Sequence, residues 1–407
     1  MARTRKTLNR AAAAAPHEPD LDRAVKLVKK LMAIEGPSGR EQRVVDFITR
    51  ALRRAGVPNK DIRTDRAHRH TPIDGETGNL VLRLPGSRRG PRRMLMAHMD
   101  TVPICVGSKP TQQGDRIVSA DPNTGLGADD RAGVAVLLIT ALEILQHDLS
   151  HPPLTFLWPV QEEIGLHGAR HAQLSLLGRP RLAFNFDGGA PEKLTIGATG
   201  GYRMTIRIEG IPSHAGGAPE YGVSAIAIAS IAIADLQRGG WHGAIEKGKQ
   251  RGTCNVGIIR GGAATNVVTE SVEVRVEARS HSPAFRRQIV RQIEKSFEQA
   301  AKDVRNVIGT CGKVTFDGQL DYESFRLSKK EPCIREAEAA VRSVGEQPIH
   351  FVTQGGLDAN WMTARGIPTV TLGCGQLLQH TRDEMLDVPL FQRACRIGLR
   401  LATGVRE

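Results

Sequence analysis

The sequence predicts an α/β protein in which a mixed, largely parallel sheet flanked by helices is interrupted by an inserted α+β domain. Three observations carry this. Up to about residue 199, short apolar runs alternate with stretches of helical periodicity, the rhythm of strand–helix–strand units. From 200 to 318 the strands instead alternate apolar and polar residues, as half-exposed strands do. From 319 to 407 the first texture returns. The chain therefore divides into a disordered basic tail (1–20), a main domain in two parts (21–199 and 319–407) and an insert (200–318). A length of 407 residues accommodates two domains of roughly 100–200 residues or somewhat more.

Taking the elements in order, Leu21, Val25, Val28 and Met32 recur at helical spacing. "GPSGR" (Gly36–Arg40) breaks that helix, and a second follows with Val44, Ile48 and Leu52 on one face. "NLVLRL" and "RMLMAHMD" read as strands, with "GSRRGPRR" (Gly86–Arg93) as a turn between them. "DRAGVAVLLITALEILQ" reads as a long buried helix. "LTFLWPV" and "LAFNFD" are further strands, and "EEIGLHGARHA" opens a helix between them. In the insert, "GYRMTIRIEG", "TCNVGIIRGG" and "VTESVEVRVEARS" are alternating strands, whereas "GVSAIAIASIAIADLQ" and Ala284–Val304 are helical. The last part supplies a helix over Pro332–Val344, strands in "IHFVT" and "IPTVTLG", and a final helix from Pro389.

Hydrophobic content of 40% and charged content of 24% describe an ordinary globular protein. With aromatic residues at only 4%, the core must consist mainly of Ala, Val, Leu and Ile. There is no apolar run of the roughly 18 residues that a membrane span requires, so no membrane partner is expected. Arg3, Arg5, Lys6 and Arg10 precede Ala11–Ala15, a run too short and too weakly apolar for a signal-peptide core. Six scattered cysteines without a CxxC pair fit free thiols of a cytoplasmic protein. The net charge of +13 raises the question of nucleic acid, but no stacking-aromatic platform or recognised motif accompanies it. Nucleic acid is disfavoured as a partner.

The residues that carry chemistry cluster after apolar strands. "MLMAHMDTVP" sets His98 and Asp100 two apart, so that strand alternation points both to one face. An imidazole with a carboxylate behind it to fix ring and tautomer is a metal-binding arrangement. In "GLGADDRAGVAVLL", Asp129 and Asp130 precede the buried helix; taken alone they read as N-capping residues. "WPVQEEIGLHGA" places Glu162 and Glu163 side by side after a strand, where each raises the other's pKa unless a cation compensates. "AFNFDGG" ends a strand in Asp187, and "GCGQLLQHTRDE" supplies His380. Two histidines and four or five carboxylates at strand ends are costly to bring together without metal. The donors suit zinc best, with cobalt or manganese acceptable, and a pair of ions bridged by one carboxylate accounts for the number.

On "HMDTVP", "GADDRAG", "EEIGLHGA", "FDGG", "SHAG" and the late His380, in order and at matching spacing, the sequence resembles the zinc exopeptidase superfamily of peptidase T, carboxypeptidase G and aminoacylase. The resemblance covers nearly the whole chain after residue 20, with peptidase T-like proteins nearest in texture. It implies that His98 and Asp187 hold different ions, that Asp129 bridges them, that Glu163 joins one ion and His380 the other. Glu162 would be the general base and Asp100 the residue orienting His98, with Asp130 a neighbour of the bridging acid. In the insert, His214 would reach across a homodimer interface to the substrate carbonyl oxygen, and Asn266 and Arg279 would contact substrate, Arg279 at a carboxylate. The insert would thus act as lid and dimerisation domain. The implied substrate is a short peptide, or an N-acyl amino acid if the chain is a carboxypeptidase or deacylase of the same superfamily. A non-catalytic peptide-binding homologue would have lost the base or a ligand, and every expected position here is occupied by a competent residue.

Overall fold

A computed structural model describes residues 16–405. Among them the strands form three sheets. The largest has nine strands, and its centre runs Leu80–Leu84, Leu154–Trp158, Arg93–Met96, Leu182–Phe186, Thr369–Leu372, Lys193–Ala198. The three pairings from Leu154–Trp158 through Thr369–Leu372 are parallel, while both flanks pair antiparallel, which makes the sheet mixed as the sequence predicts. All residues of these four parallel strands are buried. Helices cover such a sheet on both faces, which is why the strands are written as nearly unbroken apolar runs.

The segment Gly86–Arg93 connects two consecutive strands, as the sequence predicts. Leu80–Leu84 and Arg93–Met96 are not neighbours, because Leu154–Trp158 lies between them, antiparallel to the first and parallel to the second. The arginines hold this connection to other parts of the fold: Arg88 donates to the Thr403 carbonyl at 2.7 Å and Arg92 to that of Leu154 at 2.6 Å.

Helix Ala128–Gln146 is buried continuously from Asp130 to Ile144 and packs against the sheet and against helices Leu21–Met32 and Val388–Thr403. A helix apolar on all sides has to be enclosed in this way. Gly133 allows its close approach: a Cβ there would collide with the Phe186 carbonyl oxygen and the Asp130 carboxylate. Helix Leu21–Met32 starts at Asp20, whose side chain accepts the Arg23 N–H at 2.9 Å. Of the basic tail expected over residues 1–20, residues 1–15 lie outside the described residues. Residues 16–20 are docked instead: Arg400 donates to the His17 carbonyl at 2.6 Å, and Glu18 pairs with Arg396 and Arg400.

Residues 200–322 supply a five-stranded antiparallel sheet in the order Gly243–Lys247, Gln250–Gly261, Ser271–Ser280, Gly200–Glu209, Lys313–Tyr322. Its apolar side chains, among them Ile206 and Val274, share a core with Ala229 of helix Ala225–Arg238 and Phe285 of helix Pro283–Asp303. A third sheet of four short strands, Pro110–Gln113, Arg116–Ser119, Gln376–Leu377 and Met385–Asp387, brackets the loop that carries His380. Its strands have two to four residues, too few for a legible period. No helix among the described residues is long and apolar enough to cross a membrane, and all six cysteines are free thiols.

Candidate active site

Parallel strands deliver their carboxyl ends to one edge of a sheet, where α/β folds assemble sites. His98 and Asp100 follow strand Arg93–Met96; Glu162 and Glu163 follow Leu154–Trp158; Asp187 follows Leu182–Phe186; His380 lies in the loop between the short strands Gln376–Leu377 and Met385–Asp387, beyond Thr369–Leu372. Asp129 enters from the first turn of the buried helix. His98 Nε2 lies 3.2 Å from Asp129 Oδ1, and His380 Nε2 lies 3.3 Å from Asp129 Oδ2. His380 Nε2 is also 3.0 Å from Glu163 Oε2. Ligand atoms of His98, Asp129 and Asp187 all fall within 4.8 Å of one another, and so do those of Asp129, Glu163 and His380. Asp129 thus belongs to both triads and turns one oxygen toward each histidine.

A surrounding layer of bonds fixes these groups. Asp100, fully buried, accepts the Ser38 hydroxyl at 2.6 Å and the backbone N–H groups of Glu162 and Glu163 at 2.9 and 3.1 Å. His98 Nδ1 is 3.4 Å from the Asp100 carboxylate and 3.1 Å from the Asp100 carbonyl, so both oxygens constrain the ring. Asp130 is held by other partners: it accepts the backbone N–H of His98 at 3.2 Å and of Gly133 at 3.1 Å, and the Gln376 amide at 2.6 Å. The Gly133 bond is the capping behaviour that a lone Asp before a helix suggests. Gln161 and His380 hold φ at 54° and 63°, a region costly for residues with a Cβ and maintained here by the neighbouring bonds.

The electrostatics express crowding of negative charge. Burial, then the charge of Asp129, pushes the Asp187 carboxyl up to about 7. Burial, with Asp358, Glu163 and Asp187 nearby, holds Glu162 well above the usual carboxylate range, and burial also raises Glu163. Asp129 moves the other way: its burial is outweighed by hydrogen bonds to His380 and His98. His380 is pushed up to about 10 by hydrogen bonds to Asp129 and Glu163. Imidazoles and carboxylates gathered at this density form a donor set that a divalent cation would neutralise.

The insert residues lie apart from these triads and make no hydrogen bond or ion pair with them. His214 Nδ1 accepts the N–H groups of Gly216 and Gly217 at 3.1 and 2.9 Å, which leaves the ring proton on Nε2. The Asn266 carbonyl accepts the Ala215 N–H at 2.9 Å, so the two expected substrate loops are joined. Arg279, on strand Ser271–Ser280, is paired with Glu277 at 2.9 Å.

Two residues that the sequence reading did not single out matter here. Glu384, 1% exposed, accepts the backbone N–H groups of Leu126, Gly127 and Asp129 at 2.9, 2.7 and 2.9 Å. Asp358, also buried, has both carboxylate oxygens without a hydrogen-bond partner, and burial followed by the charges of Asp100 and Asp187 pushes it up to about 8. Neither residue carries a signal in its local sequence.

Carboxylate–imidazole triads at the carboxyl edge of a mixed sheet, with an α+β unit inserted in the chain, define a peptidase or amidohydrolase. The chain belongs to Peptidase family M20/M25/M40, whose model matches residues 94–404. Among similar proteins, the uncharacterized protein YqjE of Bacillus subtilis is 29% identical over 360 residues, covering 88% of this chain and 92% of its own. A tripeptidase of Staphylococcus aureus superposes with a TM-score of 0.85 at 28% identity, covering 95% of this chain and 98% of the other. The aminopeptidase PepT of Bacillus cereus gives 0.83 at 28%, covering 94% and 98%.

Proposed function

We propose that the chain is a two-metal exopeptidase of the peptidase T type that cleaves an amide bond of short peptides, with Glu162 as general base. The observation that carries this reading is Asp129, shared between two triads with one oxygen toward each histidine. The resemblance implied different ions for His98 and Asp187, but their ligand atoms cluster together. His98 and Asp187 would hold one ion, Glu163 and His380 the other, and Asp129 both; zinc suits these donors first, cobalt or manganese next. When bound, the ions would polarise the scissile carbonyl and lower the pKa of a water towards about 7.

Glu162 then takes the water's proton and returns it to the leaving amine, which suits a carboxyl held above its usual range by burial. Asp100 keeps the Glu162 turn and the His98 ring in place. His214, with its proton on Nε2, donates to the substrate carbonyl oxygen from a second subunit, beside Asn266, while Arg279 meets a substrate carboxylate. The insert therefore serves as lid and homodimer surface. Six free thiols favour a cytoplasmic setting.

The tripeptidase and aminopeptidase likenesses favour release of N-terminal residues. Hydrolysis of tripeptides, dipeptides, C-terminally blocked peptides and N-acyl amino acids, each with added Zn, Co or Mn, tests this. A requirement for a free amine supports the reading. A requirement for a free carboxylate with tolerance of a blocked amine moves the chain to the carboxypeptidases or deacylases, and metal-free, inactive, folded protein that still binds peptide marks a binding module.

A further inference from the structure

We propose a third metal site, remote from the two triads, in which His17, Glu143 and His147 take one zinc-class divalent ion. His17 Nε2 lies 2.8 Å from Glu143 Oε2, and His147 Nε2 lies 3.5 Å from the same oxygen. The donor atoms of all three residues are within 4.8 Å of one another, and the imidazole rings are 4.6 Å apart. Around a tetrahedral ion with ligands at about 2.0–2.1 Å, donor atoms stand about 3.3 Å apart. The two distances bracket that value, and the His98–Asp129 and His380–Glu163 distances in the active site, 3.2 and 3.0 Å, fall in the same range.

The supports are those a ligand set needs. Glu143 and His147 are one turn apart at the end of helix Ala128–Gln146, so both project to the same side. Glu143 is 1% exposed, and its second oxygen accepts the Asp20 N–H at 3.3 Å, a bond that orients the carboxylate. A buried carboxylate flanked by two imidazoles is a donor set that a cation would pair with. The side chains of His17 and His147 are 33% and 50% exposed, leaving an entry path and room for water as fourth ligand. The ion would clasp residues 16–20 to the helix end farthest from Asp129, about 20 Å along the axis at 1.5 Å per residue. It is a structural clasp, separate from catalysis, and does not depend on the two-metal reading.

The test is metal content. Full-length wild type, His147→Gln and His17→Asn are equilibrated with buffered zinc, freed of excess, and measured for ions per chain by mass spectrometry. The clasp predicts one ion fewer in each variant, with kcat/KM for peptide unchanged. In an Asp129→Ala background, zinc should still raise Tm, and adding His147→Gln should abolish that rise. Equal metal content in wild type and both variants, with the same zinc response in the two Asp129→Ala proteins, overturns the proposal. Loss of peptide hydrolysis in Asp129→Ala concerns the active site alone, so the two readings fail separately.

Discussion

Asp100 Oδ1 accepts the backbone N–H of Glu162 at 2.9 Å. The carboxylate behind His98, a proposed metal ligand, is thus also the anchor of the turn that carries the proposed base. Asp100→Asn puts an amide N–H against one of two backbone donors and weakens the hold on the His98 ring. Metal affinity should fall about 10–100-fold, and kcat should drop even at saturating metal. Metal titration together with kcat at excess zinc checks this; wild-type values for both would remove Asp100 from the mechanism.

Glu162→Gln preserves shape and removes the proton acceptor. We expect metal content to be retained and kcat to fall about 10²–10⁴-fold, the usual worth of general acid–base catalysis. Steady-state kinetics on metal-quantified protein decides, and near wild-type turnover would sink the assignment.

Glu384→Ala strips the acceptor from the N–H groups of Leu126, Gly127 and Asp129. Each buried donor left unpaired costs about 1–3 kcal/mol, so unfolding free energy should fall by about 3 kcal/mol or more. Metal affinity should fall with it, because the Asp129 backbone is no longer held. Urea titration of metal-free protein separates the stability loss from the metal effect, and an unchanged midpoint would show that the bonds contribute little.

Glu41 sets a pH dependence. It is fully buried, accepts the N–H groups of Gly39 and Gln161 at 2.9 and 3.0 Å, and its carboxyl is pushed up to about 8 by burial and then by Asp100. Its folded pKa lies above the ordinary 4.5, so the folded state binds the extra proton. The resulting stability is fully present below 4.5 and is lost as pH rises through about 8. Glu41→Gln should flatten the fall of stability across that window, by at most about 1.4 kcal/mol per pH unit. Urea midpoints of wild type and variant across the window test it, and parallel profiles would contradict it.

His214→Ala should abolish turnover. If His214 serves the partner's site, mixing it with an Asp129→Ala chain should restore activity, because one of the two sites is then complete. Mixed dimers as inactive as either parent would rule out the shared arrangement.

The sequence made the site edge legible because apolar strands stop abruptly at polar residues: Met96 before His98, Phe186 before Asp187, Trp158 before the Glu162–Glu163 pair. It also showed the buried helix, whose apolar character admits no exposed face. Glu384, Asp358 and the sheet around the His380 loop were not legible. Their meaning lies in partners elsewhere in the chain, and strands of two to four residues leave no period to read. The Gly86–Arg93 connection was legible as a link between two strands, but not the third strand that lies between them in the sheet.

The bond from Asp129 N–H to Glu384 closes a loop of 255 residues. During synthesis at about 5–20 residues per second, the helix that bears Asp129 is made roughly 13–50 s before the carboxylate that fixes it. Until then Asp129 lacks its clamp and His380 does not yet exist. With Asp129 and His380 in the roles proposed, the nascent chain is catalytically silent, and a peptidase emerging from the ribosome gains its activity only when the C-terminal segment has been laid into place.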